Sequence, residues 1–337
     1  PPPPPPPPHT IFFFFYLSHR DIEVNKATNS GWTALTNACK HGYPYVVEEL
    51  LTNGHTPIIF DHHRRLAKEY PEGVEVFQGD IMDDIAVTEA MAHCDSWIHL
   101  AAVLGTQETI KNPRPAAKSN LIGGLNILEA AAQYNLPGTY IAVGNHWMNN
   151  TYSITKTMIE RFIDMYNRNR GTKVNIVRVV NAYGPRQLAA EPYGCGKVRK
   201  ITPAFACRAL LGQPIEVYGD GKQVSDMVYV GDVAKALVKA TEKAVAGVVF
   251  PHPVEVGPSE NMSVGEIAQL INEIAGGKSE IVNLPMRPGE NVGDRVTADN
   301  STLALVEMDP QDLVPLREGM EKTVAYFDQY LTDTNQK

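Results

Sequence analysis

Tyr152 and Lys156 carry the clearest chemical signal in the chain, in the segment Tyr152-Ser-Ile-Thr-Lys156. On a helix, positions four apart share a face about one turn apart. An ammonium beside a phenol favours the phenolate, so Lys156 is expected to lower the Tyr152 pKa and let it act as acid or base near neutral pH. The same spacing also describes a half-buried tyrosine beside a solvated lysine. Context decides between the two, because the pair follows an apolar strand and opens a helix late in a strand–helix series.

That series begins at about residue 31. Pro57–Asp61, Val74–Gln78, Trp97–Ala101, Tyr140–Val143 and Val174–Val179 read as short apolar strands. Asn120–Ala132 and Ser153–Asn169 read as helices. Strands separated by helix-length segments imply βαβ units and a parallel sheet, an α/β fold. The first strand is expected at Trp32–Thr36, with a helix starting near Tyr43. Ile11–Leu17 is a second candidate for that strand, but no glycine follows it and it lies far from the helix at Val46. Residues 1–8 are all proline, a run that forms an extended polyproline II rod or stays disordered. Residues 31–54 also resemble one ankyrin repeat; no second copy is present, and a single repeat cannot bury its own apolar face.

The bulk numbers exclude several classes. The formal net charge is −8 and the pI about 5.7, which argues against a nucleic-acid partner. The four cysteines, Cys39, Cys94, Cys195 and Cys207, show no metal-binding spacing and read as reduced thiols. No apolar run approaches the ~18 residues of a membrane helix, so no membrane partner and a cytoplasmic location are expected.

Further segments carry a family resemblance. Asp80-Ile81, His99-Leu100-Ala101-Ala102, Asn120 with Gly123-Gly124-Leu125-Asn126, Asn181-Ala-Tyr-Gly-Pro-Arg186, Val228-Tyr-Val-Gly-Asp232 and Arg287-Pro-Gly-Glu290 stand in this order. With Tyr152 and Lys156, the chain over roughly residues 36–330 resembles the extended short-chain dehydrogenase/reductase superfamily, in its branch of NAD-dependent nucleotide-sugar epimerases and dehydratases. The resemblance implies a Rossmann-type doubly wound parallel sheet with a smaller C-terminal substrate lobe. On this reading residues 1–30 are an irregular or appended segment, and 31–182 form the NAD-binding domain, with 226–257 returning to it. Residues 183–337 are mainly the substrate lobe. The implied partner is a nucleotide-diphosphate sugar, and the implied assembly a homodimer through the helices near Asn120 and Tyr152.

The resemblance assigns NAD as cofactor and places Asn37, Gly42, Asp61, Asp80, Ile81, Leu100, Ala101, Ala102, Asn120, Tyr152 and Lys156 against it. An acid at the end of the second strand, here Asp61, accepts hydrogen bonds from ribose hydroxyls and favours NAD, although Arg64 and Arg65 follow closely. Asn181, Arg186 and Arg287 would meet the substrate. Three departures stand out. The glycine-rich phosphate loop reads Thr36-Asn-Ala-Cys-Lys-His-Gly42, with Asn37 and Lys40 where glycines belong. Asn145 or His146 occupies the place of the family's Ser or Thr after the fourth strand. Ser225 replaces a phosphate-binding Arg, so Arg186, Lys197, Arg199 and Arg287 are left to supply the charge. The Asp-Glu pair of the 4,6-dehydratases is missing as well.

The expected activity is nucleotide-sugar epimerisation at C4 with tightly held NAD. Tyr152 would move the proton, Lys156 would hold the nicotinamide ribose, and Asn145 or His146 would orient the sugar hydroxyl. The alternatives are a reductase or dehydratase, or a binding protein of the same fold without turnover. No metal is expected.

Overall fold

The computed structural model describes residues 10–14, 44–61, 74–194, 196, 198–258, 260–334 and 336. Its strands are β1 (Thr10–Phe14), β2 (Thr56–Asp61), β3 (Glu75–Gln78), β4 (Ser96–His99), β5 (Gly138–Val143), β6 (Val174–Val179), β7 (Asn181–Tyr183), β8 (Ile215–Tyr218), β9 (Val224–Ser225), β10 (Met227–Tyr229), β11 (Val254–Val256), β12 (Ile281–Leu284) and β13 (Arg295–Val296). Its α-helices are α1 (Pro44–Thr52), α2 (Asp84–Met91), α3 (Thr106–Lys111), α4 (Pro113–Ala117), α5 (Gly124–Tyr134), α6 (Thr151–Arg170), α7 (Ile201–Leu210), α8 (Val230–Val245), α9 (Val264–Ile274) and α10 (Leu316–Asp333).

Seven strands form one sheet in the order β11-β6-β5-β4-β1-β2-β3, and every neighbour in it is parallel. Strand order reverses between β1 and β4, where a doubly wound sheet opens a crevice at its carboxyl edge. Side chains alternate between the two faces. Ile59 and Ile98 join α1 and α8 in one core, and Ile58, Phe60 and Trp97 join α2, α5 and α6 in the other. A third core, built around Phe205, Ile215, Val217, Ile267 and Phe327, gathers α7, α9 and α10 into a smaller lobe.

The first strand departs from the sequence reading. Thr10–Phe14, inside the segment expected to be appended, fills the central slot: Phe12 is in register with Ile58 on β2, and Phe13 with Ile98 on β4. β1 thus holds the slot expected for Trp32–Thr36. A strand flanked by strands on both sides and helices on both faces favours an unbroken run of β-forming residues. Thr-Ile-Phe-Phe-Phe meets that demand better than Trp-Thr-Ala-Leu-Thr. Trp32–Thr36 and the phosphate loop, with Asn37, Lys40 and Gly42, lie outside the described residues, as do Arg64, Arg65 and Lys197. The following helix starts at Pro44, next to its expected position.

The chain returns to the sheet after β10: α8 covers one face and β11 pairs with β6 as the edge strand. Gly123 and Gly124 permit the packing that carries Asn120 to the site. A Cβ on Gly123 would lie 2.4 Å from Ile81 Cδ1, and one on Gly124 2.7 Å from Ile159 Cδ1. The helix expected from Asn120 begins with a π-helical stretch, Lys118–Gly123, before α5. Such stretches often occur at functional sites.

Candidate active site

α6 starts sharply because Asn150 caps it, its side chain accepting the Ser153 N–H at 2.9 Å. Tyr152, Lys156 and Glu160 follow one turn apart on the face turned toward the sheet. α3 anchors this start: Tyr152 N–H donates to Thr109 Oγ1 at 3.3 Å, and Thr151 Oγ1 donates to the Thr109 carbonyl at 3.0 Å. Asn120 braces the other side. Its Oδ1 accepts the Val103 N–H at 2.7 Å, and its Nδ2 donates to the Val103 carbonyl at 3.1 Å and to Thr155 Oγ1 at 3.0 Å. Asn120 thus ties the loop after β4 to α6, with its hydrogen-bonding groups engaged inside the protein.

Lys156 is 2% exposed. Its Nζ lies 4.0 Å from the centroid of the Tyr140 ring and, among the described residues, has no hydrogen-bond partner. Tyr140 donates its hydroxyl to the Lys156 carbonyl at 3.3 Å, and its ring stands 5.4 Å from that of His99. Burial pulls the Lys156 pKa down to about 7, and the negative charge of Glu160 opposes that shift. His99 is pushed well below the usual histidine range by burial and then by Lys156.

Tyr152 corrects the sequence expectation. Its pKa is raised to about 12 by burial, not lowered by Lys156. Removal from water disfavours the phenolate more than the lysine favours it, and the ammonium rests over Tyr140.

The loop after β5 separates the two candidates for the family's Ser/Thr position. Asn145 is engaged within the protein: its Oδ1 accepts from Ser153 Oγ at 3.4 Å, and its Nδ2 donates to Met148 Sδ at 3.2 Å. His146 is held by its carbonyl, which accepts from Thr157 Oγ1 at 3.3 Å. Its Nδ1 is buried without a hydrogen-bond partner among the described residues.

The remaining predicted residues divide. Asp61 is buried at the end of β2, and Ala101 and Ala102 are buried after β4 with Leu100 partly covered. Asp80 accepts the Met82 N–H at 2.9 Å, closing its own turn, while Ile81 is wholly buried and its carbonyl accepts from Asn126 at 2.9 Å. Asn181 donates to Ser225 Oγ at 2.7 Å. Arg186 sits at φ 67° and faces α1, with Nη1 3.9 Å from Glu48. Arg287 pairs with Glu290 at 2.5 Å, and its guanidinium lies 4.9 Å from the Tyr218 ring centroid. Arg199 reaches the same ring at 5.5 Å and donates to its hydroxyl at 3.1 Å. α3 links the two groups, since Gln107 donates to the Pro288 carbonyl.

The sequence reading missed Tyr140, Thr109, Glu160 and Tyr218. Glu160 had a signal in its spacing, four residues beyond Lys156. The others are brought in by tertiary packing from elements distant in sequence.

Residues 44–257 match the family model described as the NAD dependent epimerase/dehydratase family. The chain belongs to that family. NAD is therefore its cofactor, within a family of nucleotide-sugar epimerases, decarboxylases and dehydratases. The matched span begins at α1 and does not include β1. Relatives extend the likeness. A UDP-N-acetyl-alpha-D-glucosaminuronate decarboxylase of Bacillus cytotoxicus is 26% identical over 84% of this chain and 93% of its own length. A putative UDP-glucose 4-epimerase of Methanocaldococcus jannaschii is 28% identical over 84% and 94%. Among solved structures, the Thermus thermophilus UDP-glucose 4-epimerase complex with NAD superposes with a TM-score of 0.73 at 25% identity, covering 94% of this chain and 98% of that one. The Thermotoga maritima UDP-glucose 4-epimerase with UDP-glucose shares the fold, with a TM-score of 0.76 at 24% identity over 96% and 99%. Among the described residues, no helix is long and apolar enough to cross a membrane.

The family's cofactor fits the site. A buried ammonium without a hydrogen-bond partner is costly unless something supplies acceptors, and the hydroxyls of a ribose would do so at Lys156.

Proposed function

We propose that the chain is a nucleotide-sugar epimerase acting at C4. The observation that carries the reading is Lys156, whose buried Nζ has no hydrogen-bond partner among the described residues and lies one helical turn from Tyr152. NAD, held through Lys156, would supply reversible hydride transfer at the sugar carbon. The protein's own residues hold and move the proton. Lys156 holds the nicotinamide ribose and, as an ammonium, supports negative charge on Tyr152. Burial holds Tyr152 as a phenol before any ligand binds. As the phenolate, favoured once the cationic nicotinamide adds its charge to that of Lys156, it would take the proton of the sugar hydroxyl at its Oη and give it back in the reverse transfer. His146, through its open Nδ1, orients that hydroxyl; Asn145 is already engaged in its own loop. Arg287 and Arg199 flank Tyr218, each paired with a carboxylate (Glu290 and Glu216), and their remaining N–H groups would meet the nucleotide diphosphate in place of the arginine that Ser225 replaces. On the same reading Asn181 and Arg186 meet the substrate, and the lobe from residue 183 onward carries it.

The test is incubation with NAD and a panel of UDP- and dTDP-sugars, followed by proton NMR of the products. Interconversion of C4 epimers without loss of carbon dioxide or water supports the reading. Carbon dioxide release from a UDP-uronate would assign the decarboxylase reaction instead. A 4-keto-6-deoxy product would assign the dehydratase reaction.

Asp61 ends β2 where the adenosine ribose would lie, so NAD should bind better than NADP. A carboxylate facing a 2′-phosphate costs on the order of one to several kcal/mol. Asp61→Asn should accordingly narrow the NAD-over-NADP preference by about 10- to 100-fold in calorimetric titrations. An unchanged ratio would assign the preference to other residues.

The homodimer reading has a surface to match. Ile154, Met158 and Met165 on α6 are 47%, 40% and 38% exposed, and Ile122 in the π-helical stretch is 45% exposed. Apolar side chains aligned along a helix mark an association face. Met158→Glu should convert a dimer to a monomer in light scattering while leaving the fold intact. A mutant still dimeric at low micromolar concentration would place the interface elsewhere.

A further inference from the structure

Glu160 lies one turn beyond Lys156 on α6, in the interior, 7% exposed. It does not bond to Lys156; it is gripped from β6 by Arg178. Arg178 Nη2 donates to Glu160 Oε2 at 2.6 Å, and Nε lies 3.2 Å from both carboxylate oxygens. Arg178 in turn reaches Glu255 on β11 at 3.3 Å. The row Lys156, Glu160, Arg178, Glu255 thus alternates in sign from the candidate active site to the sheet edge.

We propose that Glu160 is a positioning residue that supplies the counter-charge for the buried Lys156 ammonium, and that Arg178 fixes where this charge sits and how much of it Lys156 feels. The proposal rests on the role given to Lys156 above, and it adds the group through which the protein sustains that role before any ligand arrives. A buried ion pair is weak evidence for a stabilising purpose, so Glu160–Arg178 has no strong claim on stability grounds alone. Its carboxylate is, by contrast, the anion that opposes the desolvation of Lys156.

Among the described residues, the groups facing Lys156 leave it no other counter-charge. β4 contributes His99, driven toward its neutral form. β5 contributes Tyr140, whose burial holds it as a phenol. Tyr152, on the same helix, is likewise held neutral by burial. The π-helical stretch and α3 contribute the uncharged Asn120 and Thr109. Glu108 on α3 acts on Lys200 instead. On α5, Glu129 is paired with Arg170 at the far end of α6.

The experiment is an NMR titration of the full chain labelled with [6-13C]lysine, the Lys156 signal being assigned by its absence in Lys156→Met. Glu160→Gln should lower the Lys156 titration midpoint by about one pH unit, and Arg178→Gln should raise it by a similar amount. At pH 8, Glu160→Gln should bind NAD about tenfold more weakly than the parent, and at pH 6 within about twofold. Midpoints that stay put in both variants, or move the same way, overturn the proposal and leave Glu160–Arg178 as a packing pair. Should Glu160→Gln not fold, Arg178→Gln carries the test: a raised midpoint supports the proposal and an unchanged one overturns it. The titration needs no turnover, so a failure of the epimerase reading would show in the product assay and leave this result standing.

Discussion

Tyr152→Phe should reduce turnover by about 10²- to 10⁴-fold, the usual range for removal of a positioned general acid–base, while NAD affinity and melting temperature stay close to those of the parent. Only one hydroxyl is lost. The backbone of Tyr152 remains fixed through its N–H to Thr109, and the start of α6 through the Asn150 cap. Burial, which raises the Tyr152 pKa to about 12, bears on the phenol and not on the ring, so the phenylalanine keeps the packing. The measurement is kcat for the substrate that the panel identifies, with calorimetric NAD binding beside it. A kcat within threefold of the parent would remove Tyr152 from the chemistry.

Lys156→Met should do two opposite things. Without NAD it should raise the melting temperature at pH 7, because a buried ammonium is replaced by an apolar side chain of similar length. With NAD it should weaken binding by at least about tenfold and abolish turnover, since the ribose loses its donor. The pH dependence carries a definite sign. Lys156 titrates at about 7 in the folded protein against an ordinary lysine value of 10.5. Between these values the unfolded chain binds more protons than the folded one. Stability contributed through this residue therefore rises with pH across that window, and its penalty is complete below about pH 7. The parent without NAD should gain melting temperature from pH 7 toward pH 10, and Lys156→Met should lose that gain. An identical slope in parent and mutant would show that Lys156 is not a strained buried ammonium.

Much of this arrangement was legible from the residues. Strands β2 to β6 were marked by short apolar runs, because both faces of a parallel sheet are covered. Tyr152 and Lys156 were marked by helical spacing, which is local geometry and needs no knowledge of distant chain. The ends of β2 and β5 located Asp61, Asn145 and His146 for the same reason.

The first strand shows where local reading stopped. Glycine placement and nearness to α1 favoured Trp32–Thr36, yet the central slot went to Thr10–Phe14. Two parallel neighbours and two covering helical layers reward a continuous β-forming run, and that reward is summed across the sheet, not along the chain. The state of Tyr152 was decided in the same way. Spacing to Lys156 predicted a lowered pKa, whereas enclosure by residues from other elements raised it, since desolvation depends on everything packed around the phenol. Asn120 could be located by its motif, but whether its amide faced a cofactor or braced Val103 and Thr155 depended on how α6 and the loop after β4 met. Sequence alone determined the fold class, the candidate catalytic pair and the family, because each is written in short-range spacing. Tertiary structure decided which segment completes the sheet, which of His146 and Asn145 keeps an open nitrogen, and which carboxylate stands behind Lys156. Those depend on contacts between residues far apart in the chain, where burial and charge are set by the whole neighbourhood.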